Sequence, residues 1–495
     1  MEINILGISA GYHDAAATVV NSQGDIVFAG HAERYSKKKN DADINLGLIW
    51  DACGDVGIDH VAYYETPWKK QLRQLYAGQG IEWSKLTTGQ VLQQQLRGWF
   101  SHMPYSCYSH HLSHAAGGFQ TSPFDRATVV VIDAIGEWDT ISIWGAEYDG
   151  KGQARYRRLW GQRYPHSLGL FYSAITQRVG LHPLDEEYIT MGMAAYGRDS
   201  YNHVMEAVLL RDADEIEFGY NLHTGVSNDF LGSLSNEDIA ASAQTLLERL
   251  IGNVMQRARD FEWSTNLVYQ GGVALNCLAN RKLGEYFDNI WIMPCPGDAG
   301  SSLGAAALAY GKRLHWNNAY LGHNIPGPYP VDDLVRSLLD TGIVGAASGK
   351  AEFGPRALGN RSLLADPRGK EIKDRVNEIK RRQKFRPFAP VVLAELAGNY
   401  FDMPSGWHTH NYMQSVARCR QPDAFPAVCH VDGTSRVQTV GKDGSGIRQL
   451  LEAWYTKTGC PMLLNTSLNI RGEPMVNDRA DADRFETRYN VKVYS

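Results

Sequence analysis

Short apolar runs alternate along this chain with segments whose apolar residues recur at helical spacing. Three runs near the start, INILGIS, AAATVV and DIVFAGHAE, are separated by Gly, Asn and Asp residues, which indicates a β-meander. Further on, ATVVVIDAI (127–135), NLVYQGG and IWIMP are predicted strands, while residues 237–259 and SSLGAAALAYGKRL are predicted helices. Strands that alternate with helices predict a layered α/β fold.

Length and one irregular segment predict the domain organisation. A chain of 495 residues is expected to form about two to four domains. The segment 317–331, NNAYLGHNIPGPYPV, is rich in Asn, Gly, Pro and Tyr and has no apolar period, which is typical of a linker. We therefore predict an N-terminal region over residues 1–325 and a C-terminal α/β domain over residues 332–495. No internal repeat is visible.

Composition and charge restrict the classes of partner and compartment. The chain is 43% hydrophobic and 21% charged, with a formal net charge of -5, which argues against non-specific binding of nucleic acid. The start lacks the features of a signal peptide and no run of about 18 apolar residues occurs, so we expect a cytoplasmic protein outside the membrane. Seven cysteines without a C-x-x-C pair fit reduced thiols.

The sharpest local signal is the run HHLSH at residues 110–114. On a helix, His110 and His114 lie one turn apart on the same face, so both imidazoles can bind one metal ion. Asp133, at the end of an apolar strand, and Asp298, in a turn before a helix, are candidate oxygen ligands because functional groups gather at such positions in α/β sheets. This donor set suits Fe(II), Mn(II) or Zn(II). The alternative is that the histidines only cap or pack a helix.

Two loops are weaker candidates. His13 follows the first predicted strand and is flanked by Asp14, so it is a candidate general base for a hydroxyl nucleophile. Gly271 and Gly272 lie between a strand and a helix that contains Asn276, where backbone N–H groups can approach a nucleotide. An inert loop histidine and a tight strand-to-helix turn are the respective alternatives.

Cationic residues cluster in the C-terminal part of this acidic chain. Arginines beside Gly, Pro and aromatic residues, in EFGPRALGNRS and RRQKFRPF, suggest guanidinium groups held for phosphate oxygens. Hydroxyl and amide side chains in NTSLN complete a plausible phosphoanhydride or acyl-phosphate pocket. Salt bridges of purely structural function are the alternative. The candidates from this pattern are Arg356, Arg361, Arg381, Arg382, Lys384, Arg386, Arg436, Ser467, Asn469 and Arg471.

Taken together, the motifs resemble the carbamoyltransferase family of nodulation, cephamycin, ansamycin and tobramycin biosynthesis. They run in the family's order from Gly7 to Pro474. The motifs are ILGISAGYHDAAA, HAERYSKKK, HHLSHAAGGF, MGMAAYG, GGVALNC, PGDAGSSLGAA, EFGPRALGNRS, FRPFAPVVL, HVDGTSRVQT and LNTSLNIRGEP.

This resemblance implies a fold and a reaction. It implies an actin-like, sugar-kinase-like ATPase fold for the N-terminal region and a YrdC-like C-terminal domain. Carbamoyl phosphate and ATP, with Mg(II), are expected to give carbamoyl-adenylate and pyrophosphate in the C-terminal domain. The carbamoyl group is then expected to pass to an acceptor hydroxyl in the N-terminal region.

The resemblance also implies roles for individual residues. His110, His114, Asp133 and Asp298 match the metal ligands of the family, which usually bind iron, so Fe(II) is expected. His13 matches the general base. The K-x-R and S-x-N signatures match Lys384-Phe385-Arg386 and Ser467-Leu468-Asn469. Contacts to nucleotide or carbamoyl phosphate are expected from Lys39, Gly271, Gly272, Asn276, Arg356, Lys384, Arg386, Arg436, Ser467 and Asn469.

Several alternatives stay open from the sequence. A carbamoyltransferase that modifies tRNA or protein, a non-catalytic nucleotide-binding relative and a sugar kinase share the expected fold. The hydrogenase-maturation type would need an acylphosphatase domain and zinc-finger cysteines. The expected partner is a small-molecule hydroxyl acceptor: an antibiotic sugar, a cephem hydroxymethyl group, a lipo-oligosaccharide or a hydroxymethylated nucleotide. The oligomeric state is not specified by the sequence.

Overall fold

The chain folds into two compact units in a computed structural model that describes residues 3–54, 56–100 and 102–495. The N-terminal unit comprises the residues up to Ala32 together with 40–317, and the C-terminal unit comprises 33–39 and 318–495. A short segment from early in the sequence therefore belongs to the C-terminal unit. No helix among the described residues is both long and apolar enough to span a membrane.

The N-terminal unit contains two mixed sheets and a short hairpin. The first sheet is built from β1 to β5 and the second from β6, β7, β8, β11 and β12, while β9 pairs with β10. The strands are β1 Ile5–Ser9, β2 Ala16–Val20, β3 Ile26–His31, β4 His60–Tyr63, β5 Tyr105–Cys107, β6 Arg126–Gly136, β7 Asp139–Tyr148, β8 Ala154–Arg163, β9 Leu210–Asp212, β10 Glu217–Phe218, β11 Asn266–Gln270 and β12 Asn289–Trp291.

The two five-stranded sheets of the described N-terminal unit share one topology. Their orders are β3-β2-β1-β4-β5 and β8-β7-β6-β11-β12. In each sheet the first three strands form an antiparallel meander, and the last two strands lie parallel to the first strand of that meander. The predicted α/β class and the first meander are confirmed, and this duplication is the topology that an actin-like fold requires.

The helices surround the sheets of both units. They are α1 Glu33–Ser36, α2 Leu46–Cys53, α3 Pro67–Tyr76, α4 Thr88–Gln95, α5 His110–Thr121, α6 Leu168–Arg178, α7 Glu187–Met193, α8 Asn202–Leu209, α9 Asn236–Asp260, α10 Cys277–Asn280, α11 Ser301–Tyr310, α12 Val331–Thr341, α13 Ile372–Ile379, α14 Ala397–Tyr400, α15 Gly446–Thr458 and α16 Arg479–Tyr489. The 3₁₀ helices are Trp83–Lys85, Ala194–Tyr196, Leu222–Thr224, Gly272–Leu275, Leu283–Glu285, Asp298–Gly300 and Ala394–Leu396.

The C-terminal unit is built around a six-stranded mixed sheet of order β21-β17-β22-β16-β14-β23 within the described residues. Its buried core includes Val391 and Leu463 on neighbouring strands and Trp454 on α15. The strands are β13 Tyr320–Ile325, β14 Ile343–Ala347, β15 Gly349–Glu352, β16 Arg361–Ala365, β17 Ala389–Leu393, β18 Phe401–Asp402, β19 Ala417–Cys419, β20 Thr434–Ser435, β21 Gln438–Val440, β22 Met462–Ser467 and β23 Val493–Tyr494.

The predicted linker at residues 317–331 is not an unstructured connection. Its residues Tyr320–Ile325 form β13, which pairs antiparallel with β15 through contacts such as Asn324 opposite Lys350. A short edge strand tolerates Gly, Asn and nearby Pro, so its composition looks like that of a loop. By contrast, the predicted helix at 237–259 is confirmed as α9, and the predicted strand at 127–135 is confirmed as β6.

Candidate active site and metal centre

The polar groups of the N-terminal unit gather where strands end. In open α/β sheets the carboxyl ends of the strands form the crevice in which ligands bind. The duplicated topology brings two such edges into one unit. The groups at or after strand ends are His13 after β1, Glu65 after β4, His110 after β5, Asp133 among the last residues of β6, Gly271 after β11 and Asp298 after β12.

Close packing of α5 against α11 brings the two halves of the site together. A Cβ atom added at Gly304 on α11 would lie only 1.8 Å from the backbone oxygen of Ser113 on α5, so no larger residue fits there. His110 and His114 lie on the first turns of α5, and Asp298 lies just before α11. The small residues of SSLGAAALAY thus let the two helices approach closely, which brings Asp298 next to the histidines; bulky side chains would prevent this.

Four buried donors converge at this point. The Nε2 atoms of His110 and His114 are 3.1 Å apart. Oδ2 of Asp133 lies 3.2 Å and 3.4 Å from these two atoms, and Oδ1 of Asp298 lies 3.3 Å from each. All four side chains are buried and their ligand atoms lie within 4.8 Å of one another. The structure therefore brings together the four residues that the sequence predicted as metal ligands.

The electrostatics of the cluster favour a bound cation. Burial lowers the pKa of His110, but the carboxylates of Asp298 and Asp133 raise it by more, so that it lies well above its usual value. Burial raises the pKa of Asp133, yet hydrogen bonds with His110 and His114 hold it well below its usual range. Two ionised carboxylates are thus buried side by side, and two imidazoles with two carboxylates form a donor set that fits Fe(II), Mn(II) or Zn(II).

A second layer of residues orients the donors. Glu65, which is buried, lies with Oε2 3.6 Å from Nδ1 of His110 and accepts a 2.7 Å hydrogen bond at Oε1 from Lys70. Carboxylates on the outer nitrogen of a metal-binding histidine fix its ring orientation. Oε1 of Glu137 accepts a hydrogen bond from the backbone N–H of His110. Sequence reasoning missed both glutamates, although Glu65 directly follows an apolar run.

The glycine turn also serves this second layer. Gly271 has a φ of +92°, and a Cβ atom there would lie 2.2 Å from the backbone oxygen of Ile132, so glycine is required. The N–H of Gly272 donates to Oδ1 of Asp133 at 3.2 Å. The amide of Asn276 caps α10 and pairs with Gln244. These contacts orient Asp133, and the predicted nucleotide contacts of the turn stay a prediction.

His13 lies directly beside the cluster. Its Nδ1 atom is 2.9 Å from Oδ2 of Asp14, and its Nε2 atom is 3.6 Å from Oδ2 of Asp298. The side chain is 30% exposed, so it is accessible from outside. Burial lowers the pKa of His13, but Asp298 and Asp14 raise it by more, to about 9. A divalent cation on Asp298 would offset the charge that causes this increase.

A cavity of about 170 Å³ opens beside His13 and the cluster. Its wall includes apolar side chains such as Leu170 and Leu222 as well as the cationic groups of Lys70 and Arg73. A concave site with apolar walls and few convergent polar groups is typical of small-ligand binding. The cavity is therefore a candidate binding site for a small ligand beside His13 and the candidate metal centre.

Replacing His114 with Ala is expected to remove the bound metal from the purified protein. Loss of one of four donors commonly leaves too few ligands to retain a divalent ion. His111 supplies a matched control, because it lies on the same helix and its Nδ1 atom contacts Ser142 instead of the cluster. Elemental analysis should show metal in wild type and His111→Asn but not in His114→Ala. Equal metal content in all three would contradict the ligand set.

The C-terminal unit contains a second group of candidate residues around Lys380. Nζ of this buried lysine donates to Oγ of Ser467 at 3.1 Å and to Oδ1 of Asn469 at 3.0 Å. Burial, and after it the positive charges of Arg382 and Arg386, hold the pKa of Lys380 well below its usual value. Nζ of Lys380 also donates to the backbone oxygens of Ser467 and Asn469, so this lysine holds the S-x-N signature in place. The guanidinium groups of Arg382 and Arg386 add positive charge at the same place, which suits it to phosphate groups.

Lys380 replaces Lys384 as the lysine beside the S-x-N signature. Lys384 is 66% exposed, and its Nζ atom lies 3.3 Å from Oε1 of Glu378. The structure therefore does not bring Lys384 to Ser467, and the predicted ligand contact of Lys384 stays a prediction. The signal that identifies Lys380 is a second K-x-R motif, Lys380-Arg381-Arg382, in the same run of residues. Lys380 is the first residue after α13, and its side chain is buried.

Arg361 is also not held for a phosphate. The side chain is fully buried, and Nε donates to the backbone oxygen of Asn477 at 2.9 Å. The remaining donors reach the carbonyl oxygens of Ser348, Gly349, Asn360 and His323. A guanidinium group whose donors are satisfied by carbonyls braces the fold and has little capacity left for a ligand.

Other predicted contacts lie in the C-terminal unit. Nε of Arg436 is buried and makes no hydrogen bond within the described part of the chain, which leaves it available for a ligand. Arg356 and Arg386 are half-buried, and Lys39 lies in the segment 33–39 of the same unit. Ligand contacts of these four residues stay predictions.

Fold and site together define a two-unit α/β enzyme with a buried His/Asp cluster beside a candidate base. Residues 62–307 match the family described as Carbamoyltransferase N-terminus, and residues 335–494 match Carbamoyltransferase C-terminus. These matches span most of the chain. The chain therefore belongs to the carbamoyltransferase family and is a carbamoyltransferase.

Sequence similarity to other proteins supports this assignment over most of the chain. An uncharacterised Synechocystis protein, sll1178, is 35% identical over 97% of this chain and 94% of its own length. Nodulation protein NolNO of Sinorhizobium fredii is 31% identical over 95% and 76%. The 3'-hydroxymethylcephem-O-carbamoyltransferase of Amycolatopsis lactamdurans is 30% identical over 81% and 80%. The relatives thus include a protein named as an O-carbamoyltransferase.

Solved structures are more distant. The activator of 2-hydroxyisocaproyl-CoA dehydratase from Clostridium difficile covers 63% of this chain and 94% of its own length, with a TM-score of 0.35 and 14% identity. A similarity at this level carries no inference about function.

Proposed function

We propose that this chain is an ATP-dependent O-carbamoyltransferase that acts on a hydroxyl of a small molecule. In the C-terminal unit, carbamoyl phosphate and ATP form carbamoyl-adenylate; in the N-terminal unit, the carbamoyl group passes to the acceptor. The observation that supports the proposal most strongly is the position of His13 at a cavity wall, 3.6 Å from a member of the buried His/Asp cluster.

The proposed reaction consists of two steps. Nitrogen donates electron density into the carbonyl of a carbamoyl group, which makes it a poor electrophile. In the first step carbamoyl phosphate is hydrolysed to carbamate and phosphate, and a carbamate oxygen then attacks the α-phosphorus of ATP and displaces pyrophosphate. In the second step the acceptor oxygen attacks the carbonyl carbon, and the bond to AMP breaks. AMP is a far better leaving group than hydroxide.

The cationic group of the C-terminal unit fits the first step. Lys380, Arg382 and Arg386 lie close together beside Ser467 and Asn469. Fixed cations stabilise the negative charge that develops on the phosphorus oxygens and on the leaving pyrophosphate. Mg(II) is expected to accompany ATP in this step, as for other nucleoside triphosphates. We infer that Arg382 and Arg386 bind phosphate groups of ATP and of carbamoyl phosphate, while Lys380, whose donors are satisfied by Ser467 and Asn469, holds the S-x-N signature in position.

His13 fits the second step. In this proposal its Nε2 atom takes the proton of the acceptor hydroxyl while Asp14 holds Nδ1 and fixes the ring. In this arrangement the acceptor hydroxyl is the nucleophile, His13 is the base and Asp14 orients the base through its 2.9 Å contact with Nδ1 of His13. The metal held by His110, His114, Asp133 and Asp298, which we expect to be Fe(II), would act as a Lewis acid that polarises a carbonyl or phosphoryl oxygen.

Mass spectrometry of candidate acceptors tests the proposed function. Antibiotic sugars, hydroxymethyl cephems, lipo-oligosaccharides and hydroxymethylated nucleotides are incubated with the full chain, ATP and carbamoyl phosphate. We expect an acceptor to gain the mass of one carbamoyl group, only when both co-substrates are present. Transfer of phosphate to the acceptor without a need for carbamoyl phosphate would instead identify a kinase and would refute the proposal.

A further inference from the structure

Helix α3 exposes apolar side chains and buries charged ones, which is the reverse of the pattern in most surface helices. Its outward side chains include Leu72, Leu75 and Tyr76, which are 45%, 51% and 70% exposed. Its inward side chains include Lys70 and Arg73, which are only 8% and 4% exposed and line the cavity. Burial of a charged side chain is unfavourable unless the charge is compensated. The two inward cations therefore require partners.

Lys70 has a charged partner within the protein, whereas the hydrogen-bond partners of Arg73 are neutral. Lys70 forms an ion pair of 2.7 Å with Glu65. Nε of Arg73 donates to the backbone oxygen of Glu137 at 3.3 Å, and Nη1 donates to the side-chain oxygen of Gln79 at 3.4 Å. Both acceptors are neutral. Among the described residues, no carboxylate lies within ion-pair distance of Arg73, and its Nη2 atom makes no hydrogen bond.

The carboxylates that line the cavity are engaged by other groups. Glu137 accepts a 2.6 Å hydrogen bond from the N–H of Thr66 and lies 3.8 Å from Nζ of Lys69. Asp133 and Asp298 face the two histidines of the cluster. Arg73 thus has no ion-pair partner in the cavity where the proposed transfer takes place, and the carboxylate of Glu65, which acts on it from a longer distance, is already paired with Lys70.

We propose that Arg73 binds a negatively charged oxygen group of a reactant in this cavity. A guanidinium group is always charged and presents a planar fork of donors that matches phosphate and carboxylate oxygens. Two reactants can supply such a group: the donor, through its adenylate phosphate, or the acceptor, through an acidic substituent near its hydroxyl. The identity of these reactants rests on the proposed function, whereas the need for an anion rests on the burial and contacts of Arg73 alone.

Calorimetric titration with inorganic phosphate and with AMP tests this site in the full chain. Arg73→Gln removes the charge, Arg73→Lys keeps a charge but loses the fork, and Lys69→Gln removes a charge from the same helix at a side chain that is 41% exposed. Because all variants share the C-terminal unit, differences between them report on the cavity. We expect phosphate to bind Arg73→Gln about 10- to 100-fold more weakly than Lys69→Gln, with Arg73→Lys between the two.

The same variants distinguish the two sources of the anion. If Arg73 binds the donor, AMP affinity falls together with phosphate affinity, and AMP release from ATP and carbamoyl phosphate without acceptor also falls. If it binds the acceptor, phosphate affinity falls while AMP affinity and acceptor-free AMP release are retained. Equal phosphate binding by Arg73→Gln and Lys69→Gln would overturn the proposal.

Two controls distinguish a failure of the Arg73 proposal from misfolding of the variant and from a failure of the proposed function. Thermal melting shows whether Arg73→Gln is folded; if it is not, Arg73→Lys decides, and binding of phosphate as tight as in wild type would overturn the proposal. If wild type releases no AMP from ATP and carbamoyl phosphate, the proposed function fails, but the titration still decides whether Arg73 binds an anion.

Discussion

Replacing His13 with Asn is expected to slow carbamoyl transfer by about 10² to 10⁴-fold, the usual contribution of a positioned base, while adenylate formation stays nearly intact. The two steps separate because His13 lies in the N-terminal unit beside Asp298, whereas we infer that adenylation takes place in the C-terminal unit. Asn retains a polar side chain but cannot accept the proton at the position of Nε2. Transfer and pyrophosphate release are measured on the same sample.

His60→Asn is a matched control for this experiment. His60 lies in the same unit, on β4, where its Nε2 atom contacts Oγ of Ser106 at 2.8 Å, and it is not among the residues that line the described cavity. We expect wild-type transfer from this variant. Equal losses of both steps in His13→Asn would point to a structural or nucleotide-binding role, and wild-type transfer by His13→Asn would remove the residue from the mechanism.

Replacing Lys380 with Met is expected to reduce pyrophosphate release from ATP and carbamoyl phosphate by about 10² to 10³-fold, because the loss of Nζ removes the donor that holds Ser467 and Asn469 in place. Met has a similar length and no donor, so the volume at this buried position is largely preserved while the oxygens of Ser467 and Asn469 lose their partner. Arg386→Ala and Asn469→Ala should impair the same step, because both residues belong to the same group as Lys380.

Lys384→Met distinguishes the two K-x-R motifs of this segment. Its side chain is exposed and paired with Glu378, so we expect pyrophosphate release close to that of wild type. A large loss in Lys384→Met with little change in Lys380→Met would restore the original motif assignment and contradict the role of Lys380. Circular dichroism confirms that both variants are folded.

The metal ligands could be predicted from sequence because simple rules apply to each of them. The one-turn spacing of His110 and His114 requires only that a helix forms, and the helix forms as α5. Asp133 and Asp298 follow apolar strands, where α/β sheets gather functional groups. The convergence of Asp298 with His110 and His114, which lie nearly 190 positions earlier in the chain, depends on the duplicated sheet topology, which leaves no repeat visible in the sequence.

The arginine and lysine assignments were less predictable, for a physical reason. Sequence shows that a cation is present but not what satisfies it: Arg361 is surrounded by carbonyl oxygens, whereas Nε of Arg436 is buried without a partner in the described residues. Which of the two neighbouring K-x-R motifs has a buried lysine depends on where α13 ends. The membership of residues 33–39 in the C-terminal unit likewise depends on tertiary packing that no local pattern encodes.

The formation of carbamoyl-adenylate is the central claim, and exchange of labelled pyrophosphate into ATP tests it most directly. Exchange requires reversal of adenylation on the enzyme and needs no knowledge of the acceptor. We predict that the full chain incorporates labelled pyrophosphate into ATP only when carbamoyl phosphate is present, and that Lys380→Met suppresses this exchange while His13→Asn does not. An absence of carbamoyl-phosphate-dependent exchange in the metal-loaded wild-type protein would contradict the account.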